Sequence, residues 1–310
     1  MKMYKCSNCG YKLKEGDIEE HDSICPKCGT DFWMANKLIK INKIIKVLHI
    51  WNCAGVAGYL AYFMKKYHDV NSVVMMRTIQ DPYKLSTEFV KNLDCNFKEF
   101  VARCWLKGLR YDIIHIHSED KMLKIFKRTL PYKKKKIIMH YHGLNIRNVW
   151  DEKKDRWKYA DKIIVATPDL LEGSPEGTEY LPNVINERLC NLYKSNKKYS
   201  GSSFHVYQEA NVTALEYANK HNLRFNVHHP NRYPLNHSEF LKQLSMYEYY
   251  IDVKRREGNI LEAMSLTGLE ALFMGVKVIR WDGKRLDSFP LEHSSVSVCE
   301  LLNRIYEDLM

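Results

Sequence analysis

Glu257-Gly258-Asn259-Ile260-Leu261-Glu262-Ala263-Met264-Ser265-Leu266-Thr267-Gly268-Leu269-Glu270-Ala271-Leu272-Phe273-Met274-Gly275 is the stretch on which the fold turns. A strand-like run, Tyr249-Tyr250-Ile251-Asp252-Val253, precedes it, and residues 276–281 read as a second strand. Thr267 and Glu270 have the S/T-x-x-E spacing of a capping box, which predicts a short helix starting there and stopping at Gly275. Strand, loop, helix and strand in this order make one unit of a parallel sheet. In an open α/β sheet such a loop lies at the C-terminal edge of the strands, where ligands bind. The free N–H groups and positive dipole end of the helix suit a phosphate, with Thr267 and Gly268 in its first turn.

Two carboxylates flank that point, Glu262 and Glu270, with seven residues between them. Singly, Glu270 reads as a helix cap and Glu262 as a solvated loop charge. Together with the helix they read as acceptors for sugar hydroxyls on either side of a phosphate. The E-x7-E pattern followed by G-L-E-A-L-x-x-G-V-x-V-I resembles the donor site of GT-B retaining glycosyltransferases of the family 4 type. The resemblance implies that Glu270 binds the ribose of a nucleotide sugar and that Glu262 contacts the transferred sugar.

A chain of 310 residues holds about two ordinary domains, and 45% apolar content suffices for their cores. The formal charge of +11 calls for an anionic partner: a nucleotide, a nucleic acid or an acidic membrane surface. No run of eighteen apolar residues is present, and the N-terminus carries a Cys pair where a signal peptide has its apolar region. The expectation is a cytoplasmic protein, with peripheral attachment to the inner face of a membrane as the alternative.

Residues 1–35 read as a zinc ribbon. Cys6 and Cys9 form one C-x2-C pair, Cys25 and Cys28 another, fifteen residues apart, with a Gly after each pair. Four thiolates around zinc leave no open position, so the metal is expected to be structural and to supply the folding energy of this short segment. Five acids between the pairs (Glu15, Asp17, Glu19, Glu20, Asp22) favour a protein partner over nucleic acid. Residues 36–45 read as a basic linker. The other five cysteines are scattered and read as ordinary buried residues.

Residues 46–183 read as a first Rossmann-like domain. A strand ending at Ile50 runs into Trp51-Asn52-Cys53-Ala54-Gly55-Val56-Ala57-Gly58 and then a helix. Two glycines fall short of a dinucleotide fingerprint. The turn resembles the glycine loop that opens the acceptor-side domain of GT-B enzymes, which would set Gly55 and Gly58 against the donor. A tight packing turn is the alternative. Tyr111-Asp112-Ile113-Ile114-His115-Ile116-His117 and Ile137-Ile138-Met139-His140-Tyr141-His142-Gly143 are strands with polar ends and resemble the family's D-x-I-H-x-H and H-G segments. His142 matches the acceptor-side histidine, whereas His115 and His140 are expected in packing. Residues 121–128 and 133–136 carry eight basic residues and no acid, a solvated face or a helix for an anionic membrane. Ala160-Asp161-Lys162-Ile163-Ile164-Val165-Ala166-Thr167 and the hinge Pro182-Asn183 continue the resemblance.

Residues 184–310 alternate strands and helices and read as a second Rossmann-like, donor-binding domain. The family's R-x4-K clamp on the donor diphosphate is missing after Asn183, and Lys254, Arg255 and Arg256 stand in for it. The resemblance thus implies transfer from a nucleoside-diphosphate sugar to a hydroxyl acceptor, lipid-linked acceptors included. Glu262, His142 and Lys254 are the catalytic candidates. Glu270, Thr267, Gly268, Arg255, Gly55 and Gly58 are the donor-binding ones. No D-x-D occurs, so no catalytic metal is expected. An inactive binder of nucleotide sugars or of a partner, and a zinc-ribbon binder of nucleic acid, are the rival readings.

Overall fold

The computed structural model describes residues 3–6, 12–14, 25, 27–28, 38–41, 44–81, 84–85, 88–143, 145–194, 196, 198–256 and 258–310. They fall into two units, residues 1–44 and 45–310.

In the first unit, β1 (Met3–Cys6), β2 (Lys12–Lys14) and β3 (Leu38–Ile41) form an antiparallel sheet in the order β2-β1-β3. The third strand lies inside the stretch read as a basic linker. Its sequence, Leu-Ile-Lys-Ile, is rich in β-branched residues, and that propensity outweighs the local charge.

The second unit begins with strands whose apolar runs are almost unbroken, as strands covered on both faces must be. β4 (Lys46–Ile50) leads to α1 (Val56–His68), β5 (Asn71–Arg77), β6 (Val90–Leu93) and α2 (Phe97–Gly108). There follow β7 (Ile113–His117), α3 (Lys121–Arg128), β8 (Lys136–Tyr141), α4 (Lys154–Trp157), β9 (Lys162–Val165) and β10 (Glu179–Tyr180). The seven strands are parallel, in the order β10-β9-β8-β7-β4-β5-β6. One face, with Ile50, Ile114, Ile116 and Met139, packs on Phe100 of α2 and Phe126 of α3. On the other, Val47, Ile113, Ile138 and Ile164 pack on α1.

After α5 (Glu187–Asn191) a second sheet is built from β11 (Tyr199–Val206), β12 (Arg224–His228), β13 (Tyr247–Asp252), β16 (Lys277–Arg280) and β17 (Arg285–Leu286). Its order is β12-β11-β13-β16-β17, parallel except for β17. Between strands lie α6 (Asn211–Lys220), α7 (His237–Leu244) and α8 (Leu266–Phe273). The α/β class expected from the sequence, two Rossmann-like parallel sheets, is therefore what forms. The strand expected at Tyr249–Val253 ends at Asp252, and Arg255 belongs to a separate hairpin, β14 (Arg255–Arg256) with β15 (Asn259–Ile260).

α9 (Ser295–Leu309) closes the chain. It lies within the residues read as the second domain, but its Val298, Leu302, Ile305 and Tyr306 are buried against α1 and the first sheet. Each such side chain contributes about 1.5–3 kcal/mol. Ser295 N–H and Oγ–H both donate to Glu187 (2.6 and 2.9 Å), which fixes the start of α9 to the crossover between the lobes. The amphipathic pattern of α9 shows that one face is buried but not which sheet covers it.

Candidate functional site

The loop after β13 is held from below. Asp252, buried at the end of that strand, accepts from Ser265 N–H (2.8 Å), and Ser265 Oγ in turn accepts from Gly268 N–H (2.9 Å). Ser265 is thus the N-cap of α8, and the helix starts at Leu266. The capping box expected from Thr267 and Glu270 does not form, because the Asp252–Ser265 bond sets the cap two residues earlier. Gly268 is demanded by the same packing: a Cβ there would lie 2.5 Å from Asp252 Oδ2.

Glu270, released from capping, is 2% exposed and accepts from His237 Nε2 at 2.8 Å. His237 opens α7, whose start is fixed by a capping box of Asn236 and Glu239. Burial opposes protonation of His237, but the charge and hydrogen bond of Glu270 outweigh it and raise the imidazole above its usual range. Tyr59 of α1 approaches the other ring nitrogen at 3.4 Å, so a first-lobe side chain reaches the pair.

Two cavities meet along this loop, of about 460 and 310 Å³. Ala54, Lys254 and Leu266 line both, so they are two parts of one cleft between the lobes. His142, Arg147 and Asn183 line the larger part from the first lobe, opposite Lys254, Arg255 and Arg256 from the second. Cys53, Ala54 and Val56, at the N-terminus of α1, face Ser265 and Leu266, at the N-terminus of α8. Two helix N-termini and four cationic side chains on one cleft make it strongly attractive to anions. The smaller part holds Glu270, Thr267, His237, Phe240 and His228.

The structure therefore brings together His142, Lys254, Arg255, Thr267 and Glu270. Gly268 sits beneath them against Asp252. Glu262 is exposed and lines neither part, although Leu261 and Ala263 on either side line the larger one. Gly55 and Gly58 are buried and line neither part. Gly55 has φ +82° and a Cβ there would meet Tyr59, while Gly58 N–H donates to Asn52 Oδ1 (2.9 Å). At these two positions the observed contacts are those of a packing turn.

Arg147 was not singled out from the sequence. It is held toward the cleft by Asp169 (2.6 Å), 22 residues away, and that separation hides it from any local motif. His237 and His49 are likewise unmarked by any local motif, and His49 belongs to a cluster on the first sheet. It joins His115, His117, His140 and His142 on one face of β4, β7 and β8. His115 and His140 are fully buried, as expected. Burial holds His142 down to about 4 against a smaller upward pull from Asn183, so its imidazole is neutral at ordinary pH. A polar residue inside an apolar strand, Lys-Val-Leu-His-Ile, was the available signal for His49.

Of the four cysteines expected to bind zinc, Cys25 is buried and Cys28 exposed. Cys6 lies in β1 with its side chain outside the described residues, and Cys9 is outside them altogether. The basic stretch at 121–128 is the helix α3, with Met122, Leu123 and Phe126 fully buried. Those three belong to the core, whereas Ile125 of the same helix is exposed, and Lys127 pairs with Asp161 (2.7 Å). Among the described residues no helix is long and apolar enough to cross a membrane.

These features define a two-lobed α/β protein with a cationic cleft at the facing helix ends. No family model matches the chain, and no curated protein matches it. Among solved structures it is similar to an alpha-glucosyltransferase in complex with UDP and a 13-mer DNA, at 12% identity over 87% of this chain and 90% of that one, TM-score 0.49. It is also similar to a UDP-N-acetylglucosamine 2-epimerase, at 14% identity over 86% and 88%, TM-score 0.43. The glycosyltransferase SsfS6 of Streptomyces sp. SF2575 is a third, at 12% identity over 85% and 91%, TM-score 0.38.

Proposed function

We propose that the chain transfers a sugar from a nucleoside-diphosphate sugar to a hydroxyl acceptor, with retention at the anomeric carbon and no metal bridging the diphosphate. One observation carries this reading: the cations Lys254, Arg255 and Arg147 and the N-terminus of α8 share a cleft with the buried carboxylate of Glu270. That is the complement of a diphosphate joined to a ribose.

In this reading the base lies beside Phe240 and His228, and Glu270 accepts from the ribose hydroxyls. Thr267 and the amides of the first turn of α8, supported by Gly268, take the phosphates with Lys254 and Arg255. Charge developing on the leaving diphosphate is stabilised there, which is where most of the rate enhancement is expected to arise. The neutral imidazole of His142 faces the sugar and acceptor from the first lobe. Glu262 contacts the transferred sugar when the two lobes close over the Pro182–Asn183 hinge. Cys6, Cys9, Cys25 and Cys28 hold a structural zinc ion, a role supported by their spacing.

A second reading is a nucleotide-sugar binder without turnover, favoured by the exposed position of Glu262 and the missing R-x4-K pair. Incubating the full chain with a panel of nucleotide sugars separates the two. Release of nucleoside diphosphate, with a product of the donor's anomeric configuration by NMR, supports transfer. Binding of the nucleotide sugar with no release on prolonged incubation supports the second reading.

A further inference from the structure

Side chains alternate along a strand, so residues two apart in neighbouring parallel strands share one face. That rule gathers five histidines on the first lobe's sheet. His49 pairs in register with His115, and His117 with His140; His142 follows two residues on. Further down the same face the positions are Val47, Ile113, Ile138 and Ile164, all apolar and packed. Imidazoles are therefore not what this sheet needs for packing. They are confined to its C-terminal end, beside the cleft.

The cluster is also poor in partners. Both ring nitrogens of His140, together with Nε2 of His49 and of His115, are buried with no hydrogen-bond partner among the described residues. Buried polar atoms left in this condition call for a partner, an ordered water or an ion, and four of them are gathered in this one cluster. One nitrogen each from His117, His140 and His142 lie within 4.8 Å of one another. His117 Nδ1 and His142 Nε2 are 3.0 Å apart. Two imidazole nitrogens on one tetrahedral zinc ion stand about 3.3 Å apart, given Zn–N bonds of about 2.05 Å.

We propose that His117, His140 and His142 bind a divalent transition-metal ion of the zinc type, its fourth position open to the cleft that His142 lines. Three imidazoles and one open position form a ligand set suited to zinc or cobalt and unsuited to magnesium or calcium, which take oxygen. His117 binds through Nδ1, leaving Nε2–H to donate to His49 Nδ1, 3.0 Å away. Such a bond from the second ring nitrogen orients a ligating histidine. His49, His115 and His117 come as close together, but all three are buried and none lines the cleft, so the group that includes His142 is the one an ion can reach. The site uses none of the cysteine pairs; it shares His142 with the proposed transfer, but its test by metal binding does not depend on turnover.

The test is cobalt titration of the full chain after chelation, read by visible absorption. Cobalt at thiolates gives an intense charge-transfer band in the near ultraviolet; cobalt at imidazoles gives weaker visible bands without it. The expected result is an equivalent of cobalt showing visible bands without charge transfer. It should be weakened at least a hundredfold in His142→Ala and in His140→Ala, with any thiolate band unchanged. His142 is only part-buried, so His142→Ala is the informative variant if His140→Ala fails to fold. Absence of an imidazole-type equivalent in the wild type, or one indifferent to His142→Ala, overturns the proposal.

Discussion

His237 Nε2 stands 2.8 Å from Glu270 Oε1, and both side chains line the smaller part of the cleft. The bond ties the first residue of α7 to the second turn of α8. Because the folded-state value of His237 is raised, the stability it contributes is fully present below its unfolded value of about 6.5. It is lost as pH rises through the raised value. His237→Gln leaves the buried carboxylate without its charged partner, and is expected to cost roughly 3 kcal/mol at pH 6 and clearly less at pH 9. Urea unfolding of both proteins at the two pH values measures the difference.

Ser265, not Thr267, caps α8. Ser265→Ala is expected to cost about 1 kcal/mol, a fall in Tm of about 2–4 °C for a unit of this size. Thr267→Ala removes no capping bond, so its thermal shift is expected to be smaller. Thermal unfolding followed by circular dichroism compares the two.

Gly268→Ala places a methyl group 2.5 Å from Asp252 Oδ2, in a packed site that also holds the Ser265 amide. The loss of stability is expected at about 1–3 kcal/mol, the range for overpacking, although alanine is the better helix former. A denaturation midpoint at or above that of the wild type would contradict the packing described.

Lys254 and Arg255 face the cleft at the helix ends. Replacing either by alanine is expected to weaken UDP or GDP binding about tenfold while leaving nucleoside binding unchanged, since only the phosphates carry charge. Calorimetric titration with the diphosphate and with the nucleoside distinguishes a phosphate contact from a general loss of folding.

Most of the backbone path was legible because buried parallel strands and short amphipathic helices leave strong local patterns. The alternation of strands and helices expected over residues 184–310 forms, and α8 starts one residue before the expected Thr267 and ends before Gly275. Contacts between distant residues were not legible. Thr267 had the spacing of a cap, but Asp252, thirteen residues before Ser265, decides which hydroxyl caps the helix. Glu270 stands out by its spacing from Glu262, but its partner His237 lies 33 residues away. Arg147 reaches the cleft only because Asp169 holds it, and α9 reads as amphipathic without naming the first lobe as its cover. Glu262 was marked by its spacing from Glu270, and spacing does not say which way a loop side chain turns.

The most direct measurement is calorimetric titration of UDP, GDP and ADP into the wild type and Glu270→Gln. At least one diphosphate is expected to bind with micromolar affinity, and the variant, still folded, to bind it at least tenfold more weakly. Failure of every nucleoside diphosphate to bind, or binding indifferent to Glu270, would contradict this reading.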